Sequence, residues 1–120
     1  MPSVLLVEDD AGIARLVQLA LSPEAIECRH ARNARDGLAS LRESQPGLVI
    51  LDFTLPDMDG LGFLAAARDA GYSGPVLFLT ALGRDDPLVE QLGAMEGAAV
   101  LLKPFDPDEL VGRVRSALAV

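Results

Sequence analysis

The sequence predicts an α/β fold: a single doubly wound domain spanning residues 1–120, with five parallel strands in one sheet and helices on both faces. Three observations carry this reading. Short apolar runs at Val4–Val7, Leu48–Leu51, Val76–Leu79 and Ala98–Leu102 have the length of strands and the continuous hydrophobicity of strands buried on both faces. Segments with apolar residues at helical spacing separate them, so strand and helix alternate five times without a break, which implies right-handed crossovers between parallel strands. At 120 residues, half of them apolar, the chain is long enough for one core and too short for two.

The elements follow in order. Val4–Val7 ends in three acids, Glu8, Asp9 and Asp10. Ile13, Leu16, Val17, Ala20 and Leu21 mark an amphipathic first helix that stops near Ser22-Pro23. Ala25–Ala31 alternates weakly, with Ile26, Cys28 and His30 on one side, and reads as the second strand. Asn33 can cap a second helix that turns Leu38 and Leu41 inward, and Pro46-Gly47 closes the connection to the third strand. After Gly60, the residues Leu61, Leu64, Ala65 and Ala67 give a third helix ending around Gly71. Val76–Leu79 ends in a hydroxyl, Thr80. A fourth helix runs from about Asp86 to Met95, with Pro87 suited only to its first turn. Ala98–Leu102 ends in a cation, Lys103. The last helix has the strongest start signal, with Asp106 at the cap, Pro107 at the first position and Glu109 at the third, followed by an apolar face of Leu110, Val111, Val114, Ala117 and Leu118.

Bulk properties exclude several functions. The net charge of −8 argues against direct nucleic-acid binding, which needs a basic face to displace counterions from phosphates. Cys28 is the only cysteine, so no internal disulfide can form and a reducing compartment fits. No apolar run reaches the roughly 18 residues that cross a bilayer, and no basic signal-peptide start precedes Val4. The expectation is a cytoplasmic protein that does not contact membranes and whose partners are proteins or cations.

Four of the five strand runs end in polar groups: Glu8 and Asp9, Asp52, Thr80 and Lys103. A parallel sheet brings all its carboxyl ends to one edge, where ligands bind in open α/β folds, so these groups can meet. The second run, ending near His30 and Ala31, lacks such a group, as suits a strand at the margin. Each residue alone could be a cap or a loop charge. Together they are costly, since two carboxylates about 5 Å apart repel by roughly 3 kcal/mol at an effective dielectric of 20. Such a pocket suits Mg²⁺, which is commonly held by a few carboxylates with water and a substrate phosphate. An oxygen of Asp52 could then attack a phosphoryl group, with Lys103 and Thr80 holding the phosphoryl oxygens.

The motifs VLLVEDD (residues 4–10), LVILDFTLPDMDG (48–60), VLFLTA (76–81) and LLKPFD (101–106) together resemble the receiver domains of two-component response regulators over essentially the whole chain. The resemblance is to the chemotaxis-regulator type. It implies a flavodoxin-like (βα)5 fold with strand order 2-1-3-4-5. It implies that Asp52 is the phosphoacceptor and one of the metal residues, that Asp9 ligates Mg²⁺ directly, that Glu8 acts mainly through water, and that the main-chain carbonyl of Thr54 is a further ligand. Thr80 would be the switch hydroxyl, with small Ala81 beside it, and Lys103 would pair with the phosphoryl group. The Lys103–Pro104 bond is expected to be cis. The phosphoryl donor would be a sensor histidine kinase or a histidine phosphotransfer protein. Transfer and slow autodephosphorylation at Asp52 would be self-catalysed, without turnover of an external substrate. The signal would pass to a downstream protein target or a fused output domain, with a dimer through the face made by the fourth helix, fifth strand and fifth helix as a further expectation.

Two features depart from the family pattern. Val100 stands where receivers usually carry an aromatic that moves with the switch hydroxyl, and the preceding GAMEGAAV lacks a common acidic pair. No output segment follows the fifth helix before Val120, so the expectation is either a stand-alone receiver or one domain of a larger protein. Val100 also supports an alternative, a degenerate receiver that binds partners without phosphorylation. A phosphatase of the haloacid dehalogenase type fits less well, because Asp52-Phe53-Thr54 has no second aspartate at the expected position.

Overall fold

The computed structural model describes residues 2–120. Five strands, β1 (Ser3–Val7), β2 (Glu27–Ala31), β3 (Leu48–Asp52), β4 (Val76–Thr80) and β5 (Ala98–Leu102), alternate with helices α1 (Ala11–Leu21), α2 (Ala34–Glu43), α3 (Gly60–Asp69), α4 (Pro87–Ala94) and α5 (Pro107–Leu118). All pairings are parallel, in the order β2-β1-β3-β4-β5. The doubly wound reading and its strand order therefore hold.

Period-two alternation explains how one sheet builds two cores. Val4, Leu6, Leu48, Ile50, Leu77 and Leu79 face α1 and α5, packing on Ala14, Val17, Leu21, Leu110 and Val114. Leu5, Val7, Val49, Leu51 and Phe78 face the opposite way, onto Leu38 and Leu41 of α2, Phe63 and Leu64 of α3, and Leu92 of α4. Every residue of β3 and β4 is buried. These central strands carry Asp52 and Thr80 at their ends.

The helices start where short polar side chains can satisfy free N–H groups. Asp10, Asn33, Asp59, Asp86 and Asp106 each cap the helix that follows by accepting from a backbone N–H. At α5 the Asp106 carboxylate accepts from Asp108 N at 2.7 Å. Asp106→Ala is expected to cost about 1 kcal/mol. Urea unfolding should show a lower midpoint with an unchanged slope.

Two details differ from the sequence reading. The second strand begins at Glu27, because Ala25 takes a left-handed conformation (φ 57°) that ends the 3-10 turn after α1. Leu16 and Leu61 sit at helical spacing with core residues, yet each is 38% exposed. Position along a helix places them at the edge of the apolar stripe, and on α3 Phe63 takes the buried place instead. On α4 only Leu92 is fully buried, while Leu88 and Val89 are half-buried. Among the described residues, no helix is long and apolar enough to cross a membrane.

Candidate functional site

The carboxyl edge of the sheet gathers the predicted residues. Register places Asp52 opposite Leu79 and Thr80 opposite Leu102, so β3, β4 and β5 end side by side. Lys103 N donates to the Thr80 carbonyl at 2.7 Å, which fixes where the lysine leaves the sheet. Its ammonium lies 3.0 Å from Glu8 Oε1 and 3.3 Å from Asp52 Oδ1. Lys103 thus bridges the acids of β3 and of the segment after β1. The Lys103–Pro104 peptide is cis.

Glu8 and Asp52 are both buried, at 0% and 5% exposure, whereas Asp9 faces solvent. One oxygen from each of the three lies within 4.8 Å of the others. Burial pushes the Glu8 carboxyl up to about 7, helped by hydrogen bonding with Asp52 and by its charge, and Lys103 offsets this only in part. Burial works against charge on Lys103 as well, but its contacts with Glu8 and Asp52 outweigh that and hold it above the ordinary lysine range. Although Lys103 is at ion-pair distance, it lies off the direction of a hydrogen bond to Glu8 Oε1. That oxygen is the one buried side-chain N or O atom among the described residues without a hydrogen-bond partner. An orphaned carboxylate oxygen beside two more acids fits a hard divalent cation that takes oxygen ligands.

The remaining candidates flank this cluster. Thr54 N donates to Asp52 Oδ1 at 3.2 Å, and the Thr54 side chain is exposed. The loop holding Thr54 is closed by its bridge to Asp59 and by Gly60 N donating to the Phe53 carbonyl at 2.7 Å. Gly60 permits that approach, since a Cβ there would lie 3.1 Å from Phe53 Cα. Thr80 is buried and its hydroxyl accepts from Leu82 N at 3.1 Å. Val100 is half-buried, opposite Phe78 in register, and lines a groove of about 310 Å³ with Arg84, Val89, Glu109 and Arg113. The groove is also lined by Leu102 and Pro104, on either side of Lys103, but lies outside the acid cluster. Volume does not mark the site: a groove of about 550 Å³ around Pro75 and Gly97 lies at the opposite edge of the sheet and holds a single carboxylate, Glu96.

Residues 4–115 match the response regulator receiver domain family. The chain belongs to that family. Among curated relatives, this receiver domain is 42% identical over 120 residues to the transcriptional regulatory protein PcoR of Escherichia coli, covering 98% of this chain and 52% of that protein. It is 37% identical to the transcriptional regulatory protein TrcR of Mycobacterium tuberculosis, covering 96% and 44%. The chain spans about half the length of these relatives. Among solved structures, the receiver resembles the chemotaxis protein CheY4 of Vibrio cholerae, with a TM-score of 0.86, 29% identity and 98% coverage of both chains. It also resembles the receiver domain of the Francisella response regulator 1452, with a TM-score of 0.87, 28% identity and coverage of 99% and 98%. Such domains carry an acidic pocket that typically binds Mg²⁺, which the Glu8, Asp9 and Asp52 cluster matches in composition.

Two contacts at this receiver's edge escape a reading of the sequence. His30 Nε2 lies 2.7 Å from the Glu8 carbonyl, so the edge strand supports the acid-bearing turn from the side. Asp57, in the loop after β3, reaches to the start of α2, where it accepts from Ala34 N and Arg35 N at 2.9 and 3.1 Å. The separation of 23 residues between Asp57 and Ala34 leaves no local sequence signal for that pairing.

Proposed function

We propose that this receiver accepts a phosphoryl group on Asp52 from a phosphohistidine of a sensor kinase or phosphotransfer protein, with Mg²⁺, and that the modified domain switches its binding to a downstream partner. The observation that carries the reading is the Asp52 carboxylate itself, buried at a strand end, 3.3 Å from the Lys103 ammonium and grouped with two further acids. An oxygen of Asp52 attacks phosphorus as the P–N bond to the donor imidazole breaks, the imidazole leaves with the bonding pair, and an acyl phosphate forms. Lys103 already touches the Asp52 oxygen and can follow the transferred group, pairing with its oxygens. The Thr80 hydroxyl, held by Leu82 N at 3.1 Å, supplies a donor once it turns toward those oxygens. Glu8, Asp9, Asp52 and the Thr54 carbonyl would hold Mg²⁺, which when bound neutralises charge on the phosphoryl oxygens. Chain residues also govern reversal, because attack of water on the acyl phosphate restores Asp52 and releases inorganic phosphate.

The curated relatives are about twice the length of this chain and are named as transcriptional regulators, which supports a fused output domain as the downstream partner. The face of α4, β5 and α5, with its Val100 groove, is the proposed surface for dimerisation or target binding. The domain would act in the cytoplasm and leave nucleic acid to its output partner. Incubation with acetyl phosphate and Mg²⁺, followed by intact-mass measurement, should add one phosphoryl group and lose it slowly on removal of the donor. A chain that gains no mass with acetyl phosphate or with a cognate phosphohistidine donor would support the alternative that Val100 favours, a module that binds partners without phosphorylation.

A further inference from the structure

Asp57 is exposed and lies outside the acid cluster, yet both its carboxylate oxygens are engaged by the first two N–H groups of α2. The helix does not lack a cap of its own, since Asn33 accepts from Asp36 N at 2.8 Å. Asp57 therefore does something besides completing the end of α2: it ties the loop after β3 to that helix. The tie is charged, as the two N–H donors, Ala34 first, hold the Asp57 carboxyl below the usual aspartate range.

What α2 touches on its other side gives the tie a function. Gly37 sits so close to β1 that a Cβ there would lie 3.0 Å from Val7 Cγ2 and 2.9 Å from Phe63 Cε2. Val7 directly precedes Glu8 and Asp9, and Glu8 N donates to the Ala31 carbonyl at 3.0 Å, three residues before α2 begins. The start of α2 is thus pressed against the strand end that bears one part of the acid cluster. Through Asp57 it also holds the loop that bears Asp52 at its root and Thr54 two residues on.

We infer that Asp57 is a positioning residue: by latching the loop 53–59 to α2, it sets where the Thr54 side of the cation site stands against the side formed by Glu8, Asp9 and Asp52, whose own spacing the β1–β3 ladder fixes with Val7 opposite Leu51. This rests on the phosphoacceptor reading, in which those two sides hold one ion together. Residues that orient ligands from behind typically alter metal affinity about 10-fold or more when replaced.

Mg²⁺ titration of the isotopically labelled chain, followed by backbone amide NMR shifts, tests the latch in three variants. Asp57→Ala should weaken Mg²⁺ binding about 10-fold and perturb the amides of residues 53–58. Asp57→Asn, which keeps one side-chain acceptor, should fall between Asp57→Ala and the wild type. Asn33→Ala, which removes a cap from the same helix without touching the loop, should bind Mg²⁺ like the wild type. Equal losses in Asp57→Ala and Asp57→Asn would assign the effect to charge alone and overturn the latch. So would an equal loss in Asn33→Ala, or an Asp57→Ala variant that binds normally. A wild type that binds no Mg²⁺ overturns the phosphoacceptor reading itself and the latch with it, a result distinct from the other three.

Discussion

Asp52→Asn is expected to take up no phosphoryl group from acetyl phosphate or from a phosphohistidine donor under conditions in which the wild type gains one. The loss should exceed the roughly 100-fold that removal of a single positioned hydrogen-bond donor produces, because the nucleophile is removed and no neighbour can replace it. Glu8 is fully buried, and although Asp9 is exposed, Lys103 reaches Glu8 and Asp52. The amide keeps the shape of the carboxylate and can still accept from Thr54 N, which now donates at 3.2 Å. The variant should therefore fold, and its melting curve separates lost chemistry from lost structure. Without Mg²⁺, at pH 8, where Glu8 is ionised as well, it should melt above the wild type. Asp52 carries the cost of burial and two repulsions from acids within 4.8 Å, set against one attraction from Lys103 at 3.3 Å. Intact-mass measurement and calorimetry on the same sample decide it; phosphoryl uptake by Asp52→Asn, or a metal-free melting point clearly below that of the wild type, would contradict the assignment.

Much of this edge is legible from sequence because parallel topology converts one-dimensional position into proximity. A residue that follows a buried strand must emerge at the carboxyl edge, so Glu8, Asp52, Thr80 and Lys103 can be placed together before any contact is known. What resists reading are contacts made by loops. Asp57 and Ala34 meet because α2 begins, and the β3–α3 loop runs, at the same carboxyl edge of the sheet, and nothing in DMDG or NARD announces the pair. Helix stripes are legible in phase but not in width. Leu16 and Leu61 share the period of their buried neighbours, and only the shape of the sheet beneath decides that each is left partly in solvent. Val100 is readable as a departure, and the structure gives it a place: a half-buried position on the outermost strand, beside a groove rather than against the acids.

Glu8→Gln is expected to raise the stability of the metal-free domain at pH 8 by about 3 kcal/mol, on the order of 10 °C in melting temperature. Folding lifts the Glu8 pKa from an ordinary 4.5 to about 7, so the folded state favours its protonated form. Below pH 4.5 the unfolded chain is protonated too, and that stabilisation is fully present. As pH rises from 4.5 through 7, the unfolded chain ionises first, and the wild type loses stability across that window. Glutamine has no proton to lose, so its profile should be flat there, and the two proteins should converge near pH 4.5. The replacement also suits the geometry. Its amide oxygen can stay at the Oε1 position, 3.0 Å from the Lys103 ammonium, so that only the long 3.4 Å contact from Asp10 N is given up. Mg²⁺ should reverse the ranking, because a cation that binds only the folded state stabilises in proportion to its affinity, and the variant has lost one anionic neighbour of the ion. Thermal unfolding at pH 8 across an Mg²⁺ series should therefore show the variant ahead without metal and the wild type gaining on it as metal is added. Parallel curves would mean that the buried acid serves packing alone.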